Sequence, residues 1–243
     1  KYDYSLNFFP GRLNTMLNLF SKSKIKSGYW NFLKLKDWSS SKQIVNSNLN
    51  SSLKIFWKKE DSYLNRINLV FKNIKLKGEI STKFIYPEIQ NVSKESNDYY
   101  LIHTCSRIQH RSLSNHSINE LIYFLREKND KRIIILSSRG DHNFKFLNSL
   151  SSNEIKILVN PAISDLVNVI INAKLFIGVD SFPIHLADAY NSSFLGIFGP
   201  TNSFSVLINH NKSIKFKTNS LENITNQELL EVIKNKINWE KLN

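Results

Sequence analysis

The 243-residue sequence contains a single cysteine, Cys105, so no intramolecular disulfide can form and the chain fits a reducing compartment. It has no run near the roughly 18 to 20 apolar residues that a membrane-spanning helix needs, because Lys, Asn or Asp interrupts each apolar stretch first. The opening Lys1-Tyr2-Asp3-Tyr4-Ser5-Leu6 has neither an initiator Met nor the basic, then apolar, then small layout of a secretory signal; it reads as a chain entered partway through a strand. A cytoplasmic location is expected. Acidic residues are scarce, 20 Asp+Glu against 33 Lys+Arg, and the resulting +13 favours nucleic acid, anionic lipid or phosphorylated substrates as partners. A merely solvated basic surface gives the same count. No nucleic-acid reader motif and no interleaving of aromatic and basic residues on strands is present, so no nucleic-acid partner is expected. No internal repeat is present either.

What is present is a 41% hydrophobic composition, enough for one large or two small cores. Tyr4 to Phe9 reads as a strand, Pro10-Gly11 as a break, Arg12 to Phe20 as a helix with Leu13, Met16, Leu17 and Phe20 on one face, and Ile25 to Trp30 as a second strand. Residues 37 to 60 read as loop with short strands, and a helix follows from Asp61, with Leu64, Ile67, Leu69, Val70 and Ile74 at near-helical spacing. Asn91 to Asp98 carries no apolar period and is the expected linker between a first domain, 1–92, and a second, 93–243.

Beyond it, strands and helices alternate. The expected strands are Tyr99 to Thr104, Arg132 to Ser137, Ile155 to Val159, Leu175 to Val179 and Phe194 to Phe198. The expected helices are Ser117 to Lys128, Asn143 to Leu150, Ile163 to Ala173, Pro183 to Tyr190 and Gln227 to Lys236. Ile133-Ile134-Ile135-Leu136 is apolar throughout rather than alternating, as in a parallel sheet covered on both faces, so the second domain should be doubly wound α/β.

In such sheets ligands sit at the carboxyl ends of the strands, against helix N-termini. The richest junction is Val179-Asp180-Ser181-Phe182-Pro183-Ile184-His185: Asp180 ends a strand, Ser181 suits an N-cap, Pro183 suits the first helical turn and His185 lies near the same crevice as a neutral hydrogen-bonding group. The bland alternative is that Asp180 and Ser181 only cap a helix. The next junction, Gly199-Pro200-Thr201, pairs a glycine with a hydroxyl able to hold a phosphate oxygen, or is simply a turn.

Together these junctions resemble glycosyltransferase family 9, the bacterial lipopolysaccharide heptosyltransferases, in which an Asp-Ser/Thr-Gly-x-x-His-Leu run precedes a Gly-Pro-Thr. Leu101-Ile102-His103-Thr104-Cys105-Ser106-Arg107 resembles the strand and phosphate loop that open the family's donor domain, and Tyr2-Asp3-Tyr4 and Ser27-Gly28-Tyr29 resemble parts of its acceptor domain. The likeness is strong over about 160 to 201, the stretch that bears both junctions, and weak elsewhere. It implies a GT-B-like α/β architecture of two Rossmann-like domains, the first incomplete here, and inverting transfer with no metal and no cofactor.

The nucleotide sugar, ADP-heptose or a relative, is then substrate, and the acceptor an anionic lipopolysaccharide-type glycolipid at the inner face of the cytoplasmic membrane, with peripheral membrane contact. Carried over, the donor-binding residues are Thr104, Ser106, Arg107, Arg111, Asp180, Ser181, Pro183, His185, Leu186, Gly199 and Thr201, with backbone amides near Pro183 to Leu186 on the diphosphate. Arg111 stands in for a family Lys ahead of Trp-Pro, where this chain has His110-Arg111-Ser112-Leu113. Phe182 occupies the family's Gly position, which alters the closest backbone approach to a diphosphate. The family's catalytic Asp precedes the point where this sequence starts, so no base is assigned. Two other readings stay open: a degenerate, non-catalytic donor-binding module, and a basic nucleic-acid-binding protein.

Overall fold

Ile133 to Leu136, the most apolar run of the sequence, lies inside a six-stranded, wholly parallel sheet. The computed structural model describes residues 2–7, 17, 20–30, 43–44, 55–56, 62–74, 98–128 and 131–239. The chain forms two compact units, Lys1–Thr82 with Phe204–Val206, and Lys83–Ser203 with Leu207–Asn243.

In the first unit, β1 (Tyr2–Asn7) pairs in parallel with β2 (Ser23–Trp30), and the short β3 (Gln43–Ile44) and β4 (Ile55–Phe56) extend the sheet antiparallel. Helix α1 (Tyr63–Asn73) starts where Ser62 accepts a hydrogen bond from Asn65 N at 3.1 Å, an N-cap that satisfies one orphan amide. It buries Val70 and Ile74, and the Ser27 hydroxyl of β2 donates to Val70 O. Of the expected helix over Arg12 to Phe20, only Leu17 and Phe20 are among the described residues; both are helical and exposed. The Pro10-Gly11 break lies outside the described residues, as does the 91–98 linker apart from Asp98.

The second unit runs β5 (Tyr99–His103), α2 (Asn115–Lys128), β6 (Arg132–Ser137), α3 (Phe144–Ser149), β7 (Ile155–Val159), α4 (Ile163–Ile171), β8 (Leu175–Val179), α5 (Phe182–Ala189), β9 (Phe194–Phe198), β10 (Ser213–Lys215) and α6 (Asn226–Lys236). The sheet order is β10-β9-β8-β5-β6-β7. From β5 the chain winds one way to β6 and β7; from β8 it winds the other way to β9 and β10. The direction therefore reverses between β5 and β8, and in an open α/β sheet the crevice outside the carboxyl ends of those two strands is where a ligand binds.

Alternation sorts the core into two layers. Tyr100, Ile102, Ile133, Ile135, Leu175, Ile177, Leu195 and Ile197 pack with Ile118, Leu121 and Leu125 of α2 and Leu229 and Ile233 of α6. Trp239 closes that layer edge-on against Tyr100 and Phe124. Leu101, Phe176 and Phe198 are buried outside that cluster, and Ile184 of α5 packs on Phe176's side of β8. Two glycines let α5 come close: Gly178 and Gly196 are paired in register, and a Cβ would lie 2.7 Å from Phe176 Cζ at the first and 2.8 Å from Phe198 Cε2 at the second, with Ile184 within 3.5 Å of both. Close seating brings the N-terminus of α5 to the end of β8, beside the switch point. No helix among the described residues is long and apolar enough to cross a membrane.

Candidate functional site

β5 ends at His103 and β8 at Val179, so the residues that follow them face each other across the switch point. After β5 the chain makes a pinned loop. Leu113 N donates to Thr104 O at 3.0 Å, Ser106 N donates to Ser112 Oγ at 2.9 Å, and a 3₁₀ turn over Gln109–Arg111 carries the tip. Gln109 Nε2 donates to Glu222 at 3.1 Å, and His142 Nε2 stands 3.9 Å from the same carboxylate, so the loop is also held from outside.

The loop delivers Arg111 onto Asp180. Arg111 Nη1 lies 3.0 Å from Asp180 Oδ2, and His185 Nε2 lies 3.7 Å from Oδ1. Asp180 is buried, with 5% of its side chain accessible against 30% for Arg111, so the cation is the partner that reaches solvent. Burial alone would raise the Asp180 pKa. Hydrogen bonding by His185 and Thr201 and the positive charge of Arg111 outweigh it, holding the carboxyl below its ordinary value and the carboxylate ionised. The ion pair is imperfect: Arg111 Nε and Asp180 Oδ2 are both buried without a hydrogen-bond partner.

Beside this cluster a second link crosses the crevice. His103 Nδ1 lies 2.9 Å from Ser181 Oγ, and Ser181 Oγ donates to Val179 O at 3.0 Å. Ser181 occupies the N-cap position of α5, yet its hydroxyl makes no capping bond. Ser181 thus stands at the expected N-cap position, with its hydroxyl turned to the strand carbonyl and the imidazole and not to the helix amides. In the first turn of α5, Pro183 has no N–H and Ile184 N is bonded to Ser181 O at 3.2 Å, so the row of amides expected near Pro183 to Leu186 is partly spent within the helix.

The expected site residues thus divide. Arg111, Asp180, His185 and Thr201 meet around one carboxylate, and Ser181 adjoins them. Thr104 is 1% exposed and serves as the anchor of the loop, with its hydroxyl 3.8 Å from Cys105 Sγ. Ser106 is bonded back onto its own loop, and Arg107 is exposed on it. Pro183 is buried and Leu186 half-buried. Gly199 is glycine for packing: a Cβ there would stand 2.7 Å from Leu221 Cδ2 and 3.2 Å from Thr218 Cγ2. Phe182 presents its ring to solvent, 56% exposed, at the start of α5.

His103 is the neighbour that the sequence did not single out. Its only signal was a histidine closing an otherwise apolar strand, immediately before the expected phosphate loop. Burial lowers its pKa to about 4 despite the opposing charge of Asp141, so the ring is neutral at ordinary pH. Asp141 itself is held at the end of β6 by Ser138 N at 2.6 Å and Ser137 Oγ at 3.2 Å.

Solved structures with this fold include the family 9 glycosyl transferase from Veillonella parvula DSM 2008, with 11% identity and TM-score 0.66 over 96% of this chain and 73% of that one. E. coli ADP-heptose lps heptosyltransferase II has 16% identity and TM-score 0.52 over 70% of this chain and 57% of its own. E. coli heptosyltransferase WaaC, solved with ADP-2-deoxy-2-fluoro heptose, has 16% identity and TM-score 0.54 over 71% and 55%. The chain therefore spans a little over half the length of the two E. coli enzymes. At these identities the likeness is one of fold, mixed α/β with a parallel sheet of the GT-B-like kind. None of the curated proteins matches the sequence significantly. The family model for glycosyltransferase family 9 (heptosyltransferase) matches residues 17–233, nearly the whole chain, and the protein belongs to that family.

Proposed function

We propose that this chain binds a nucleoside diphosphate sugar in the crevice between the ends of β5 and β8 and acts in a glycosyltransferase that moves heptose from ADP-heptose to an anionic lipopolysaccharide-type acceptor. The observation that carries the reading is the meeting of Arg111, Asp180, His185 and Thr201 at the switch point of a parallel sheet. Asp180 alone would repel a diphosphate. Paired with Arg111, it instead stores a guanidinium whose second edge can turn to phosphate oxygens, and the imperfect geometry of the pair makes that transfer cheap. Direct displacement at the anomeric carbon builds charge on the departing diphosphate. Arg111, with Arg107 nearby on the same loop, is placed to stabilise it, and one preorganised donor of this kind typically contributes about 3 to 4 kcal/mol.

In this reading the nucleotide sugar is a substrate, and no metal or cofactor takes part. The formal charge of +13 agrees with an anionic glycolipid acceptor and with peripheral contact at the inner face of the cytoplasmic membrane. Thermal unfolding with ADP, UDP and GDP tests the donor claim. A ligand at about 100 times its Kd stabilises by roughly 2.7 kcal/mol, which is roughly 5 to 10 °C for a chain of this size. ADP should raise the Tm by that order, and Asp180→Ala and His185→Ala should reduce the rise. A wild-type Tm indifferent to all three nucleotides refutes the reading.

A further inference from the structure

The hydrogen-bond inventory of the crevice floor fixes more than its shape. Ser181 Oγ lies 3.0 Å from Val179 O and 2.9 Å from His103 Nδ1. A carbonyl oxygen only accepts and the hydroxyl has one proton, so both contacts are hydrogen bonds in a single arrangement, with the hydroxyl donating to Val179 O and Nδ1–H donating to the hydroxyl oxygen. With Nδ1 protonated, the neutral ring has its free lone pair on Nε2. That atom has no partner among the described residues, and it is not one of their buried unpartnered atoms; the residue is half-buried. The burial that lowers the His103 pKa to about 4 keeps the ring in this neutral form.

We infer that His103 is a specificity-determining residue of the donor site: it is locked by Ser181 as the Nδ1–H tautomer and presents Nε2 as an acceptor for an O–H or N–H of the nucleotide sugar. The inference rests on the donor-site reading and assigns the floor of that site. Ionised phosphate oxygens carry no proton and are repelled by a lone pair, so the diphosphate is directed away from His103 toward Arg111. A hydroxyl or exocyclic amine is left over the switch point. In the same arrangement the only proton of Ser181 is committed, so its hydroxyl donates nothing to a ligand.

The proposal is tested on the intact chain by ¹⁵N NMR of the histidine ring nitrogens, with His103→Asn used to assign the His103 signals, and by calorimetry with ADP and with ADP-heptose. The wild type should show a protonated Nδ1 and an unprotonated Nε2 whose resonance moves on adding ligand. Asn keeps an N–H where Nδ1 stood and removes the Nε2 acceptor, so His103→Asn should hold its unliganded Tm while its Kd rises about 3- to 10-fold, the loss of one hydrogen bond. Equal weakening for ADP and ADP-heptose assigns the contact to the nucleoside, and weakening for ADP-heptose alone assigns it to the sugar. An Nε2–H tautomer in the free wild type overturns the proposal, as does unchanged affinity of His103→Asn where the wild type binds. A wild type that binds neither ligand removes the donor site itself, and the ligand contact with it, even if the tautomer is as stated.

Discussion

Replacing Arg111 with Met removes the cation from Asp180 while keeping most of the side-chain volume. Breaking a fully buried ion pair by deleting one partner costs about 3 to 5 kcal/mol. Here the cost is smaller, since Arg111 is 30% exposed in its side chain, and His185 and Thr201 still face the carboxylate. About 2 kcal/mol remains, within the roughly 1.5 to 3 kcal/mol of a hydrogen bond to a charged group, or about 4 to 8 °C in Tm for a chain of this length. Arg111→Met/Asp180→Asn should recover most of that loss, because the amide needs no counter-charge. The pH dependence has a definite sign. Asp180 has a depressed folded pKa, so its contribution is present above its unfolded pKa and is lost as pH falls through the lower folded value. Without Arg111 that folded pKa rises, and the deficit measured at pH 7 should narrow on acidification, as protonation removes the uncompensated charge. Urea titrations of the two single variants and the double variant at pH 7 and pH 5 read this directly. Additive deficits, with coupling below about 0.5 kcal/mol, would mean that the 3.0 Å contact carries no energy and that the site is not organised around this pair.

Three further outcomes follow from contacts around the site. Gly199→Ala should cost about 1 to 3 kcal/mol by chemical denaturation, and Leu221→Ala in the same chain should relieve part of the Gly199 penalty, since Leu221 Cδ2 is the atom that the new methyl meets. Cys105 is buried and its thiol is pushed up to about 12, mainly by burial and then by Asp141; Ellman's reagent at pH 8 should leave the native chain unlabelled and label one thiol after denaturation. The Asp188 carboxylate accepts from Ile208 N at 2.7 Å and from Asn209 N and Nδ2 at 2.9 Å, so Asp188→Ala should speed hydrogen exchange at the Ile208 and Asn209 amides while leaving β6 and β7 protected.

The centre of the parallel sheet was legible because Leu175–Val179 and Phe194–Phe198 are buried on both faces and therefore apolar throughout; these two, with Arg132–Ser137 and the edge strand Ile155–Val159, have the bounds that their composition predicts. Helices α2, α4 and α5 came within a residue or two at each end. Strand β10 was not legible, being three edge residues of which only Ile214 is buried, too few to show any period. Within the site, Asp180, His185 and Thr201 could be grouped because each follows a predicted strand end. The Arg111–Asp180 pair could not be read, because nothing local to either residue encodes it; the two meet only because β5 and β8, distant in sequence, are neighbours in the sheet. Ser181 stands at the N-cap as expected, and what its hydroxyl bonds is the part that was not legible. Local propensity assigns that hydroxyl to the helix amides, and tertiary packing brings a competing histidine.

The polar groups of the crevice are segregated by what they can offer. On the loop side stands Arg111, a fork of donors that is partly open to solvent; on the floor stands a histidine whose free nitrogen can only accept, beside a serine whose single proton is already used. A ligand carrying a diphosphate and hydroxyls has two orientations in such a crevice. With the phosphates on the floor, at least one ionised oxygen faces the Nε2 lone pair while the Arg111 donors face a sugar. With the phosphates under the loop, both sets are matched and Asp180 is relieved of a guanidinium that fits it imperfectly. The second orientation also leaves Phe182, exposed at the start of α5, beside the part of the ligand that is not phosphate, where an aromatic face can cover a base or a sugar ring. Phe182→Gly should therefore change the preference among ADP, UDP and GDP more than the affinity for inorganic pyrophosphate. Equal loss for pyrophosphate and for the nucleotides would place the ring over the phosphates and reverse the assignment.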